Sequence, residues 1–225
     1  MIKLAYDNPF PPLAFSEKGR AKGAVIDVLS WVFARIRVKA RFIPVPMEEI
    51  SDILADGLVD GIAFYGVTPE RRFLFDFSNP FLVTGAALFA SASAPAPSSL
   101  AVREVGTIAT PETGPLAVQI RKKAPNVRLL LVRDYREALE VVLEGKASVA
   151  ALNMHVGRDL ADKLFPGRFS VAENPFLEMP LAVAMPRGKN APLLAAISRA
   201  LGDFKRSAAY GVVLEKWLHG LHGPL

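Results

Sequence analysis

Hydrophobic positions along this chain switch between a two-residue and a helical period. Ile2 to Tyr6 reads as a strand, and Asp7-Asn8-Pro9-Phe10-Pro11-Pro12 cannot continue it, because its prolines remove backbone donors and fix φ. Val25, Leu29, Val32, Phe33 and Ile36 recur at helical spacing, which predicts an amphipathic helix over Ala24–Arg37. A strand at Ala40–Pro44 follows. Then comes a helix at Met47–Asp56, with Ile50, Ile53 and Leu54 inward and Gly57 stopping it, and a strand at Gly61–Tyr65.

A second unit begins after the small, Pro- and Ser-rich stretch 91–99, the best linker or surface loop in the chain. Its pattern predicts strand Val105–Ala109, helix Pro115–Lys123, strand Val127–Val132, helix Tyr135–Glu144, strand Val149–Leu152 and helix Val156–Leu164. Each unit reads strand, helix, strand, helix, strand, with its second helix closed by glycine (Gly57, Gly145). That alternation implies parallel sheets flanked by helices, hence an α/β fold of two lobes. The tail differs: strand Leu181–Met185, helix Ala191–Lys205 and a last helix near Ala208–Leu218. With no third unit to cover, it returns to the first lobe. The chain then crosses twice, near Thr84–Ser91 and Phe176–Pro180. The expected division is residues 1–87 plus 180–225 as lobe 1 and 88–179 as lobe 2.

In open parallel sheets, ligands bind beyond the carboxyl ends of strands. The candidate loops are therefore Asp7–Pro12 and 66–72 in lobe 1, and Thr110–Gly114 and Asn153–Gly157 in lobe 2. Tyr65 and Gly66 lead into Thr68-Pro69-Glu70-Arg71-Arg72, where Thr68 suits an N-cap, Pro69 the first helical position and Glu70 the first turn. A short helix is expected there. The guanidinium of Arg71 would face the cleft, matching a carboxylate with two parallel hydrogen bonds; the plainer alternative is a surface arginine paired with Asp76. In lobe 2, Thr110-Pro111-Glu112-Thr113-Gly114 precedes a helix whose N-terminus could take an anion, or simply be capped by Thr113. Phe10 either walls a pocket or packs under its loop.

Composition narrows the functional class. Of 225 residues, 51% are hydrophobic and 22% charged, so a sizeable core can be buried. The net charge of +5 is scattered; the densest runs, Arg71-Arg72 and Arg121-Lys122-Lys123, have no interleaved aromatics, which argues against nucleic acid. A mild positive field would help capture anions. There is no cysteine, so disulfides and cysteine-built metal sites are excluded. No cofactor or metal is expected. GxGxxG, Walker, GxSxG and HExxH signatures are missing. Of the histidines, His219 and His222 make a weak metal pair, and His155 could face the cleft but more often such a residue is structural. No apolar run is long enough to span a membrane, and the N-terminus reads directly into a strand rather than a signal peptide. Either the protein is cytoplasmic or a leader has been removed.

The order of several motifs resembles a known family. Asp7-x-x-Phe10-x-Pro12-x-x-Phe15, Gly23-x-x-x-Asp27, Leu54-x-x-Gly57-x-x-Asp60, Thr68-Pro69-Glu70-Arg71, Asp76-Phe77-Ser78-Asn79-Pro80-Phe81 and Val212-x-x-x-Glu215-Lys216-Trp217-Leu218 are similar to the type 2 periplasmic solute-binding proteins, specifically the polar amino-acid (family 3) branch serving ABC transporters. The resemblance covers nearly the whole chain. It implies a Venus flytrap fold: two lobes, two hinge crossovers, closure on the ligand, and a periplasmic or cell-surface location. It implies that Arg71 grips a ligand carboxylate with Asp7 and Phe10, that Met47 takes the place of an aromatic against the ligand, and that Thr113 matches a lobe-2 threonine. Gly66 falls near a ligand-binding Ser or Thr, and Asn153 falls where the family carries an aspartate for the ligand's ammonium. Losing that carboxylate suggests a ligand with a carboxylate but no α-amino group.

The leading expectation is a monomeric, non-catalytic binding protein that delivers its ligand to a membrane permease. Two alternatives share the fold: a sensory domain of a receptor, and a cyclohexadienyl-dehydratase-like enzyme using Glu112, Glu173 or Glu178 as general acid.

Overall fold

The computed structural model describes residues 1–101 and 105–218. The chain divides into unit 1, Met1–Val83 with Met179–Leu225, and unit 2, Thr84–Glu178. It passes between them within two long strands, Leu82–Ser91 and Leu177–Pro186.

Unit 1 holds β1 (Ile2–Asp7), the hairpin β2 (Phe15–Glu17) and β3 (Arg20–Lys22), α1 (Ala24–Arg35), β4 (Ala40–Val45), α2 (Ile50–Ala55), β5 (Gly61–Gly66) and β6 (Phe75–Phe77). After the start of β7 (Leu82–Ser91) and the excursion through unit 2, it resumes within β12 (Leu177–Pro186) and ends with α6 (Ala191–Lys205) and α7 (Ala208–Trp217). β1 runs parallel to β4 and β5, while β12 pairs antiparallel with β5 and β6. The apolar stripe of α1 sets its place: Val25, Leu29, Val32 and Phe33 are all buried, together contributing about 6–12 kcal/mol of transfer free energy. α1 starts at Gly23, whose φ of 119° favours glycine and whose absent Cβ would run into the Leu13 carbonyl. α7 is tied to α1 by one carboxylate oxygen: Asp27 Oδ2 accepts from Lys216 Nζ and from Trp217 Nε1, each at 2.7 Å. Asp27 and Trp217 of the family-like motifs are thus packing devices.

Unit 2 holds β8 (Thr107–Pro111), α3 (Leu116–Lys123), β9 (Arg128–Val132), α4 (Tyr135–Leu143), β10 (Val149–Asn153), α5 (Met154–Leu164) and β11 (Phe169–Val171). Its strand order is β7-β10-β8-β9; β8 is parallel to both neighbours, β7 is antiparallel to β10, and β11 pairs with β7. α4 starts on a reciprocal cap: Asp134 Oδ1 accepts from Glu137 N, and Glu137 Oε2 from Arg133 N, both at 2.8 Å.

Several expectations need correction. The helix expected after Thr68 is a single 3₁₀ turn, Arg71–Phe73, because the chain must drop at once into β6. The helix from Met47 likewise opens as a 3₁₀ turn, Met47–Glu49. Thr110 and Pro111 belong to β8, since β9 extends alongside them with Thr110 opposite Leu131. Thr113 does not cap α3: Pro115 holds the cap position, no side chain caps it, and Thr113 is exposed. The β2–β3 hairpin, β6 and β11 carry too few alternating apolar residues to be read from the sequence. His219 and His222 lie outside the described residues.

Candidate ligand-binding site

In unit 1 the candidate residues gather at the carboxyl ends of β1, β4 and β5. Asp7 ends β1, half-buried, with its pKa raised from the ordinary 3.8 to about 6. Burial is the main cause and the charge of Glu48 adds to it, while the backbone N–H groups of Met47 and Asn8 act against them. Met47 packs its partly buried side chain on the cluster around Val45, Ile50 and Ile62. Phe10 stacks on Phe64 with ring centroids 6.1 Å apart, and its loop closes on itself through Phe10 N donating to Ala14 O at 2.8 Å.

Arg71 is held by the strand it follows. Its guanidinium lies over the Tyr65 ring, 3.5 Å from the centroid, and Nη1 donates to Gly66 O at 3.0 Å. Tyr65 is itself set edge-on against Phe75, centroids 5.5 Å apart. Thr68 is buried, and its Oγ1 accepts from Arg71 N at 3.3 Å, a loose substitute for the expected cap. Desolvation lowers the Arg71 pKa and the nearby Tyr65 and Glu70 partly offset it, but guanidinium stays protonated at neutral pH. The alternative partner Asp76 is engaged elsewhere, accepting from Gly188 N at 2.7 Å, and among the described residues Arg71 forms no ion pair with it. Beside the guanidinium, Gly66 has no room for a side chain. A Cβ there would collide with the thioether of Met179 and stand 3.0 Å from Arg71 Nη1.

In unit 2 the candidate residues are committed to the fold. Thr110 is fully buried, and its hydroxyl donates to Ala151 O at 3.0 Å. Asn153 ends β10 and caps α5: Oδ1 accepts from His155 N at 3.0 Å and Val156 N at 3.3 Å, while Nδ2 donates to the buried Thr84 hydroxyl at 2.8 Å. Its backbone N–H donates to Tyr135 Oη at 3.3 Å. His155, in the first turn of α5, has a buried Nδ1 without a hydrogen-bond partner among the described residues. Burial, and then the charge of Arg158, lowers its pKa to about 4, so the imidazole is neutral at physiological pH. Glu112, Glu173 and Glu178 are all exposed.

The model of the bacterial extracellular solute-binding proteins, family 3, matches residues 2–220. The chain belongs to that family. This solute-binding protein is 24% identical over 204 residues to the ABC transporter glutamine-binding protein GlnH of Bacillus subtilis (strain 168), covering 89% of this chain and 74% of the relative. Among solved structures, a histidine kinase sensor domain with similarity to periplasmic binding proteins superposes with a TM-score of 0.83 at 20% identity, covering 97% of this chain and 96% of the other. An ancestral arginine-binding protein bound to glutamine gives 0.77 at 23% identity, covering 96% and 97%. The fold is the two-lobed Venus flytrap of the periplasmic binding proteins. Among the described residues no helix is long and apolar enough to cross a membrane.

Three contributors in this solute-binding protein escaped sequence reasoning: Met179 against Gly66, Glu48 beside Asp7, and Thr84 under Asn153. Only the glycine in place of a hydroxyl residue hinted that something else fills the space.

Proposed function

We propose that this solute-binding protein works outside the cytoplasm, taking up a small carboxylate-bearing ligand and delivering it to the membrane permease of an ABC importer. The observation that carries this is Arg71: a desolvated guanidinium, oriented by Tyr65 and Gly66, with donors left over and no carboxylate ion pair among the described residues. A ligand carboxylate supplies the missing counter-charge. The glutamine-binding relative and the ancestral arginine-binding protein support an amino acid or a related acid. Asn153 refines the choice. Both polar ends of its side chain are engaged within unit 2, and it bears no charge to neutralise a buried ammonium. The ligand is therefore an organic acid without an α-amino group. Ligand binding populates the arrangement that binds it best, which is the signal an importer reads.

The sensory reading draws support from the likeness to a histidine kinase sensor domain. Ligand chemistry is common to both readings. The dehydratase reading has weaker support, since the three glutamates lack the burial that a general acid requires.

A thermal-unfolding screen of L-glutamine, L-arginine and L-glutamate against simple mono- and dicarboxylates tests the proposal. At a hundredfold excess over Kd, a ligand adds about 2.7 kcal/mol, roughly 5–10 °C for a chain of this size. Organic acids giving the larger shifts support the reading. L-amino acids winning clearly would overturn the α-amino part of it, and no response to any carboxylate would overturn the whole.

A further inference from the structure

Unit 1 contains an open cavity of about 490 Å³ that most of the candidate residues do not line; only Tyr65 and Arg71 are common to both. We propose that this cavity is an accessory site for a small aromatic monoanion, sharing only Arg71 and Tyr65 with the carboxylate grip described above. Its volume lies within the range of small-molecule sites, roughly 300–1,000 Å³. Its walls are chemically divided. Leu54 of α2, Leu74 and Pro186 offer an apolar surface that includes the rings of Tyr65 and Phe75. The Tyr65–Phe75 pair is edge-to-face and one face of Tyr65 is covered by Arg71, so the braced Phe75 ring and the remaining Tyr65 surface form a fixed wall for a planar guest. The charged groups on the lining are Arg71, Lys189 and Glu70, formally one net positive charge.

The cations are unequally engaged. Arg71 already stacks on Tyr65 and is influenced by Glu70. Lys189 is exposed, and among the described residues its ammonium meets no carboxylate within ion-pair distance. Lys189 is thus the group positioned to receive an acid, while Arg71, from above Tyr65, adds its field. Because Arg71 borders this cavity and also contacts Gly66, an occupant here bears on the same guanidinium that the principal ligand needs, which gives the accessory site a route to influence uptake.

The experiment is an amide-resolved NMR titration of the whole chain with indole-3-acetate, and with tryptamine, which has the same ring and the opposite charge. Indole-3-acetate is expected to shift the amides of residues 51–55 and 187–189 saturably, and tryptamine to leave them unchanged. Ala55→Trp, which fills the cavity from the exposed end of α2, should abolish the shifts. Lys189→Ala should weaken binding about two- to fivefold, as for an exposed charge pair. No saturable shift at those residues, equal shifts from tryptamine, or shifts unaffected by Ala55→Trp would overturn the proposal. Neither Ala55 nor Lys189 belongs to the carboxylate grip. A normal thermal response of Lys189→Ala, which leaves the cavity open, to the ligand found by the screen therefore separates this inference from the proposed function.

Discussion

Asp7 offers the sharpest physical test of the unit 1 site. Its carboxyl is held at about 6 in the fold against an ordinary 3.8, chiefly by desolvation and then by Glu48. At 1.36 kcal/mol per pH unit, the ionised side chain opposes folding by up to about 3 kcal/mol. The sign follows from proton binding: between the two values the folded form holds the proton more tightly than the unfolded chain. Its contribution is therefore complete below about pH 4 and is lost as pH rises through about 6. Asp7→Asn removes the charge while keeping an oxygen for the backbone N–H groups of Met47 and Asn8. The variant should unfold about 5–10 °C higher than the wild type at pH 8 and at nearly the same temperature at pH 4. Calorimetric melts across pH 4–8 read this directly. An equal effect at both ends, or a destabilised variant at pH 8, refutes the reasoning. A group retained at such a cost to stability fits a binding residue rather than a structural one.

His155 gives the opposite limb. Its pKa is lowered to about 4 from 6.5, so its contribution is present above 6.5 and lost as pH falls towards 4, about 3 kcal/mol in all; His155→Leu should flatten that acid loss in the same melts. Asn153→Asp keeps an oxygen for the α5 cap and lets the Thr84 hydroxyl donate instead of accept; calorimetric titration should then detect gained affinity for L-amino acids over the matching deaminated acids. Gly66→Ser should weaken carboxylate binding by displacing Met179 and crowding Arg71, and adding Met179→Ala should recover most of the loss, measured as a double-mutant cycle.

Long amphipathic segments were legible from periodicity alone. Ala191–Lys205 has the boundaries that its Leu194, Ile197 and Leu201 stripe implies, and the parallel pairing of β1 with β4 and β5 follows from the strand–helix alternation. The short elements were not, because three-residue strands such as Phe15–Glu17 take their form from pairing partners and not from local pattern. At the site, Arg71 could be singled out from its motif. The tilt of its guanidinium onto Tyr65 could not, since the turn is 3₁₀ and too tight to direct the side chain as a helix would. Met179 reaches Gly66 only through the antiparallel pairing of β12 with β5, a long-range contact with no sequence signature. The sequence pattern starts the last unit 2 helix at Val156 and leaves His155 in the loop before it; Asn153 begins α5 earlier and places that imidazole in its first turn, half-buried beside Arg158.

The central claim is that the Arg71 guanidinium binds the ligand's carboxylate. Isothermal calorimetry should compare wild type with Arg71→Met, using the acid that most raises the melting temperature and its methyl ester. The account predicts that either change alone weakens binding by about 2–4 kcal/mol, or 30- to 1,000-fold, while the variant's own melt stays cooperative. Wild-type affinity in Arg71→Met, or equal affinity for acid and ester, would contradict it.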